Sequence, residues 1–122
     1  MKSAVIELSG FQLSPFSFVV KELACADENG FYKVWTFQPP HAWDVLSAKK
    51  QRSYQWVTRN LHGLAWTSGD LPYNRLRPIL QMIFSKYSTL FVKGLQKKKF
   101  LKRFTNVDIV ELEEDLPNQK HE

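Results

Sequence analysis

The sequence predicts an α/β protein with a mixed five-stranded sheet, a three-strand antiparallel meander plus two parallel strands, flanked by helices. The first third of the chain is rich in β-forming residues and contains the hairpin signal Asn29-Gly30. Further along, helical patterns alternate with strand patterns, and parallel strands need helices to connect them. The 122 residues fit a single domain, predicted at residues 1–116, followed by a polar tail at residues 117–122.

The antiparallel meander is predicted first along the chain. Residues 4–9 alternate between apolar and polar side chains, which predicts a strand ending at the turn residue Gly10. Residues 17–26 and 31–37 are two further β-rich runs. The segment 38–40 then stops the sheet, because its two prolines cannot donate to a strand ladder.

Helices and parallel strands are predicted for the rest of the chain. Residues 43–60 carry a weak helical pattern, and apolar residues recur at helical spacing from Leu76 to Tyr87, after Asp70 or Asn74 as the candidate cap. Pro78 is compatible with that helix only in its first turn. The remaining predicted elements are a strand over 89–93, a helix over 94–104 and a strand over 107–112.

Charge is distributed unevenly along the chain, whose net charge is +5. The segment from Lys86 to Arg103 holds seven basic residues and no acid, whereas Asp108 to Glu122 holds six acids and one lysine. The basic block predicts either a surface for an anionic partner, RNA or DNA, or merely a solvated helix face. Without an apolar run near 18 residues or a charged-then-apolar leader, we expect an intracellular protein, cytoplasmic or nuclear, with no membrane contact.

Five stretches of the chain carry a family resemblance: Ile6–Phe11, Lys21–Leu23, Gln38–Pro40, Trp56–Trp66 and Phe91–Leu101. In them the chain resembles a group of invertebrate proteins, some associated with mobile elements or viruses, that are similar to proofreading exonucleases. The order of predicted elements is also that of the ribonuclease H-like fold. The resemblance implies that the first strand is central and pairs with the fourth.

The resemblance further implies that Glu7 begins a two-metal nuclease site on the first strand. Ser9 stands where the exonuclease pattern has a second acid, and the sequence ends where the group continues into a further segment. Among the other acids, including Asp44, Asp70 and Glu111, Asp108 is the best placed to complete a site, although a cap or an exposed acid is the simpler interpretation of each. We therefore expect a pseudo-nuclease without cofactor or metal. A metal-dependent 3'–5' exonuclease or ribonuclease using Glu7, Asp108 and Mg²⁺ or Mn²⁺ is the alternative.

Helical spacing puts Lys97 on the apolar face of the helix over 94–104. The resemblance to proofreading exonucleases implies that a third acid of the metal site would lie near this position. We expect Glu7 to be buried on the first strand with the start of this helix nearby, and the site to hold either a Glu7–Lys97 ion pair or a phosphate at the helix N-terminus. Candidate nucleic-acid contacts on and beside this helix are Lys93, Lys97, Lys98, Lys99, Lys102 and Arg103.

The stretch from Trp56 to Trp66 permits two interpretations. Arg59 and His62 could contact phosphates or bases, with Trp56 and Trp66 as stacking platforms. Alternatively, the tryptophans close the core and His62 fixes a loop. Nucleic-acid binding is accordingly one functional hypothesis, and a protein-interaction module, including a homodimer formed through an edge strand, is the other.

Overall fold

The computed structural model describes residues 2–15 and 17–113 and contains the predicted mixed five-stranded sheet. The strand order is β3-β2-β1-β4-β5, with β1 parallel to β4 and β4 parallel to β5. The expectation that the first strand is central and pairs with the fourth is therefore confirmed. The strands are β1 (Ser3–Ser14), β2 (Ser17–Asp27), β3 (Tyr32–Thr36), β4 (Thr89–Val92) and β5 (Asp108–Glu111).

Three α-helices connect the strands. They are α1 (Ala48–Val57), α2 (Leu76–Lys86) and α3 (Leu95–Lys102). A π-helical turn, Thr58–His62, extends α1, and 3₁₀ turns lie at Trp43–Val45 and Tyr73–Arg75. Because α2 begins at Leu76, Pro78 falls in its first turn, where the missing N–H costs least. Among the described residues, no helix combines the length and the apolar character needed to cross a membrane.

The first strand is longer than predicted, because Gly10 does not end it. Buried side chains alternate through Leu8 and resume at Phe11, so one extra residue enters the alternation near Gly10, as at a β-bulge. A Cβ atom at this glycine would lie 1.8 Å from the carbonyl oxygen of Val19 on β2. The glycine therefore permits a close approach of two strands rather than a turn.

The predicted hairpin between β2 and β3 is present, and its turn is built around Asp27. The Oδ1 atom of Asp27 accepts hydrogen bonds from the backbone N–H groups of Asn29 and Phe31. Within this turn Gly30 has a positive φ, 95°, and Asn29 does not. The Tyr87 hydroxyl at the end of α2 donates to Oδ2 of Asp27 over 2.7 Å, which lowers the pKa of that carboxyl. Burial and this hydrogen bond raise the pKa of Tyr87.

Contacts divide the chain into two compact units. Within the described residues, unit 1 comprises residues 2–7, 24–33 and 79–113, and unit 2 comprises residues 8–15, 17–23 and 34–78. The core of unit 2 is an aromatic cluster made of Phe11, Val19, Leu46, Tyr54 and Trp66. The predicted polar tail, residues 117–122, and the predicted domain end at residue 116 lie outside the described residues.

The register within unit 1 distinguishes the two faces of the parallel strands. Ala4, Leu90 and Ile109 are aligned on neighbouring strands and all are buried. The residues one step along, Val5, Phe91 and Val110, point to the opposite face, where Val5 is 50% exposed and the other two are half-buried. The described part of the chain thus covers one face fully and the other only in part.

Candidate functional site

Glu7 lies on the partly covered face, and its side chain is exposed. The prediction that this carboxylate is buried is therefore wrong. Glu7 has the same parity on β1 as Val5, whereas the buried positions on either side of it are Ile6 and Leu8. The apolar residues around Glu7 point to the other face, so their presence in the sequence does not bury the acid.

Asp108 also lies on the partly covered face, but at the other end of it. Asp108 on β5 is aligned with Thr89 on β4, which is aligned with Ser3 on β1. Ser3 comes four residues before Glu7 on that strand. Glu7 and Asp108 are therefore four residues apart along the strand direction and two strands apart across the sheet, which puts their Cα atoms about 16 Å from each other. Two metal ions about 4 Å apart need carboxylates that converge, and these two acids do not.

The start of α3 is occupied by a different carboxylate. Glu111 is 2% exposed, and its Oε2 accepts a hydrogen bond from the Gly94 N–H over 2.7 Å. Its Oε1 accepts from the Glu113 N–H over 3.0 Å. A carboxylate at the start of a helix is favourable because the helix dipole is positive there. The predicted phosphate at this helix start would have to compete with Glu111.

Lys97 does not pair with Glu7. Among the described residues, no ion pair or hydrogen bond joins Glu7 to another side chain. Lys97 is half-buried, and a Cβ atom built on Gly94 would lie 3.4 Å from its Cδ, so its aliphatic stem covers the turn before α3. The predicted Glu7–Lys97 ion pair is therefore wrong, because the acid is in solvent and the lysine packs on its own helix.

The cations of α3 form an exposed surface. Phe100 and Leu101 are buried, so the helix packs as its apolar spacing predicts. Lys97 and Lys98 are half-buried beside them. The exposed cations, here called the α3 basic surface, are Lys93, Lys99, Lys102 and Arg103, of which Lys93 lies 3.7 Å from the exposed carboxylate of Glu113. Such an exposed pair is weak.

The residues of the Trp56–Trp66 stretch serve different roles. Trp66 is 3% exposed; it stacks on Tyr54 at 5.7 Å between ring centroids and donates from Nε1 to the His41 carbonyl over 3.1 Å. Trp56 is 56% exposed, and Arg59 is also exposed. Trp66 is thus a core residue with little of its ring available to a ligand, in line with the structural interpretation of this tryptophan.

His62 is held by hydrogen bonds at both ring nitrogens. The Leu64 N–H donates to Nδ1 over 2.9 Å, and Nε2 lies 3.0 Å from the Gly10 carbonyl oxygen. A nitrogen that accepts from an N–H carries no proton, so the proton must be on Nε2. The imidazole therefore fixes the loop after α1, and neither nitrogen is free to contact a phosphate.

A buried lysine that is not among the predicted site residues lies in unit 2. Lys21 is 1% exposed, and its Nζ donates to the carbonyl oxygens of Phe37, over 2.6 Å, and of Ser68. Burial lowers its pKa to about 8. Its position between Val19 and Leu23, two buried residues of the same parity on β2, is the sequence signal that could have identified it.

Metal ligands are not grouped in the described residues: no three His, Cys, Asp or Glu side chains lie close enough together to hold an ion. No family model, curated protein or solved structure matches the chain. The features that bear on function are therefore the chain's own: the α3 basic surface and the separation of Glu7 from Asp108.

Proposed function

We propose that this protein is a ribonuclease H-like module that has lost its metal-dependent chemistry and binds RNA or DNA through the α3 basic surface. The strand order β3-β2-β1-β4-β5, with its parallel β1–β4 and β4–β5 pairs, supports the ribonuclease H-like assignment. The separation of Glu7 from Asp108 supports the loss of chemistry, because each acid would have to bind a metal ion without the other.

The exposed cations of α3 are the observation that carries the proposal. Lys99, Lys102 and Arg103 project from a helix whose opposite side is buried, and no acid occurs between residues 86 and 107. A rigid helix presenting several cations neutralises neighbouring phosphates and releases their condensed counterions. Contacts of this kind are made to the backbone, so we expect little sequence preference.

Salt-dependent binding tests the proposal. Fluorescence anisotropy titrations with single- and double-stranded RNA and DNA should give an affinity that falls steeply as salt rises. For the variant Lys99→Gln/Lys102→Gln the slope of log K against log salt should shrink by about 1.4 to 1.8, the contribution of two phosphate contacts. No measurable binding at low salt would refute the proposal.

A matched control separates this surface from net charge. Lys49 and Lys50 are adjacent exposed lysines on α1, so Lys49→Gln/Lys50→Gln removes the same charge from another helix. We expect this control to keep the wild-type slope. Equal losses in both double variants would assign binding to overall charge, and degradation of the labelled strands in Mg²⁺ or Mn²⁺ would favour the nuclease alternative.

Homodimerisation through β3 is a second candidate function, favoured by the exposure of this strand. β3 is at the edge of the sheet, and Tyr32 and Val34 on it are large exposed side chains. An open edge strand can pair with the same strand of a second copy. Light scattering of the wild type and of Val34→Lys tests this candidate, which requires a concentration-dependent dimer that the substitution abolishes.

A further inference from the structure

Unit 2 contains a cleft of about 430 Å³ at the end of α1. Its walls come from three segments: the 3₁₀ turn at Trp43, the end of α1 with the π-helical turn that follows it, and residues 65–67. Clefts of this volume fall in the range that accommodates small ligands. The cleft is distinct from the α3 basic surface, whose residues do not line it.

The aromatic side of the cleft is formed by Trp43, which packs against core residues. Trp43 is half-buried, and its ring centroid lies 6.5 Å from that of Trp66, with 55° between the ring planes. Trp66 is in turn stacked on Tyr54 and hydrogen-bonded to the His41 carbonyl. A planar ligand that stacks on Trp43 would therefore meet a rigid aromatic wall, and a preorganised wall loses little conformational entropy on binding.

The polar side of the cleft carries donors that have no partner among the described residues. Gln55 and Arg59 are four residues apart and so project from the same side of the helical segment. Neither the Gln55 amide nor the Arg59 guanidinium makes a hydrogen bond or ion pair with another described residue, and the same holds for the hydroxyl of Thr67.

The charge of the residues that line the cleft favours a negatively charged ligand. Among the described residues, Arg59 is the one charged residue that lines the cleft, and no carboxylate lines it. Guanidinium groups bind phosphate oxygens through paired hydrogen bonds. A ligand that contacts all three side chains thus has a flat aromatic part to stack on Trp43, a hydrogen-bonding edge to face Gln55 and a phosphate to bind Arg59.

We infer that the cleft binds a nucleoside monophosphate, with the base stacked on Trp43, its polar edge near Gln55 and its phosphate on Arg59. All nucleotide bases can stack on a tryptophan ring, because each base has an aromatic face. The nucleotide is either free or one unit of a single strand, and both present the same chemistry to the cleft. The inference does not depend on the α3 basic surface.

Calorimetric titration with AMP, adenosine and phenyl phosphate tests this inference. The wild type should bind AMP saturably at millimolar concentrations or below. Arg59→Gln should weaken AMP binding about tenfold or more, the usual cost of a lost hydrogen bond to a charged group, while leaving adenosine binding unchanged. Arg52→Gln, which removes an exposed arginine from α1 outside the lining, should bind AMP as the wild type does.

The aromatic wall is tested by a second matched pair. Trp43→Leu should weaken AMP and adenosine alike, whereas Trp56→Leu removes an exposed tryptophan outside the lining and should change neither affinity. If Trp43→Leu does not fold, as judged by circular dichroism, the Arg59→Gln and Arg52→Gln pair still decides the matter. Competition between AMP and a short single-stranded oligonucleotide measures which source of the nucleotide is preferred.

Three results would overturn the inference. They are no saturable AMP binding at millimolar concentrations, equal effects of Arg59→Gln and Arg52→Gln, and phenyl phosphate binding as tight as AMP binding. The last result would point to a phosphotyrosine peptide as the ligand. Lys99→Gln/Lys102→Gln should bind AMP normally, so failure of the cleft and failure of the α3 basic surface are distinguishable.

Discussion

Glu7 and Glu111 are glutamates on strands of the same sheet, yet they differ completely in environment. Glu7 on β1 is exposed and has no hydrogen-bonding or ionic partner among the described residues. Glu111 on β5 is 2% exposed and accepts hydrogen bonds from two backbone N–H groups, one of them at the start of α3. From the sequence, burial is expected for Glu7, and a cap or an exposed acid for Glu111.

The difference teaches that alternation assigns a residue to a face but does not reveal which face is covered. Glu111 shares its parity with the buried Ile109, and Glu7 shares its parity with the half-exposed Val5. A charge is tolerated inside where backbone groups replace water, as the two N–H groups do for Glu111 and two carbonyl oxygens do for Lys21. Four predictions can break or sharpen this comparison.

Glu111→Ala should have the largest effect, lowering the free energy of unfolding by about 3 kcal/mol. The substitution leaves the Gly94 and Glu113 N–H groups without their acceptor and empties a buried space, and each unsatisfied buried group costs about 1 to 3 kcal/mol. Urea denaturation at neutral pH measures the change. Glu111→Gln should cost less, because it keeps the shape and one acceptor oxygen.

An exposed acid provides the control for this measurement. Glu28→Ala in the β2–β3 turn should change the free energy of unfolding by less than about 0.5 kcal/mol. If Glu111→Ala lowered the free energy of unfolding by less than about 0.5 kcal/mol, the hydrogen bonds of Glu111 to the Gly94 and Glu113 N–H groups would contribute nothing to stability. The comparison with Glu7 would then fail.

Lys21→Met should rank second, with a loss of about 2 kcal/mol. The methionine keeps the apolar stem but leaves the Phe37 and Ser68 carbonyl oxygens without a donor, and removal of the buried charge offsets part of this cost. Urea denaturation of Lys21→Met beside Lys49→Met, an exposed lysine, gives the difference. A more stable Lys21→Met protein would show that the buried ammonium costs more than its two hydrogen bonds contribute.

The free energy of unfolding should also rise with pH through the titration of Lys21. Burial lowers its pKa from 10.5 to about 8, so between these values the unfolded chain binds more protons than the folded protein. Stability from this group is therefore fully present above pH 10.5 and is lost as the pH falls through about 8. Relative to Lys21→Met, the wild type should gain about 2 kcal/mol between pH 7 and about 9.5. A constant difference across this range would contradict the lowered pKa.

Much of the fold could be predicted from the sequence, because its signals are local. The alternation in β1 and β2, the prolines after β3 and the helical spacing of α2 each determine an element within a few residues. The prediction was wrong at Gly10, where a glycine that permits close strand approach has the same local pattern as a turn glycine. The difference lies in Val19, a residue on another strand.

The candidate site was harder to predict, because it depends on which elements meet. Tertiary contacts determine that Glu111 reaches the start of α3 and that Trp66 stacks on Tyr54. The exposed cations of α3 were predictable, since helical spacing separates them from Phe100 and Leu101. The cleft beside Trp43 was not, because its lining comes from three separate segments of the chain.

Glu7→Gln should have the smallest effect, less than about 0.5 kcal/mol in the free energy of unfolding, because the carboxylate is exposed and unpaired among the described residues. Glu28→Gln, a matched substitution in the exposed turn, should change the free energy of unfolding equally little. Both should raise nucleic-acid affinity by the same small amount, since each removes one negative charge from a protein that binds an anion. A loss above 1 kcal/mol for Glu7→Gln alone, or the disappearance of a Mn²⁺-dependent degradation that Glu28→Gln retains, would show that Glu7 is engaged by a metal ion or by residues beyond the described part of the chain. Its exposure would then be a catalytic feature rather than the counterpart of the burial of Glu111.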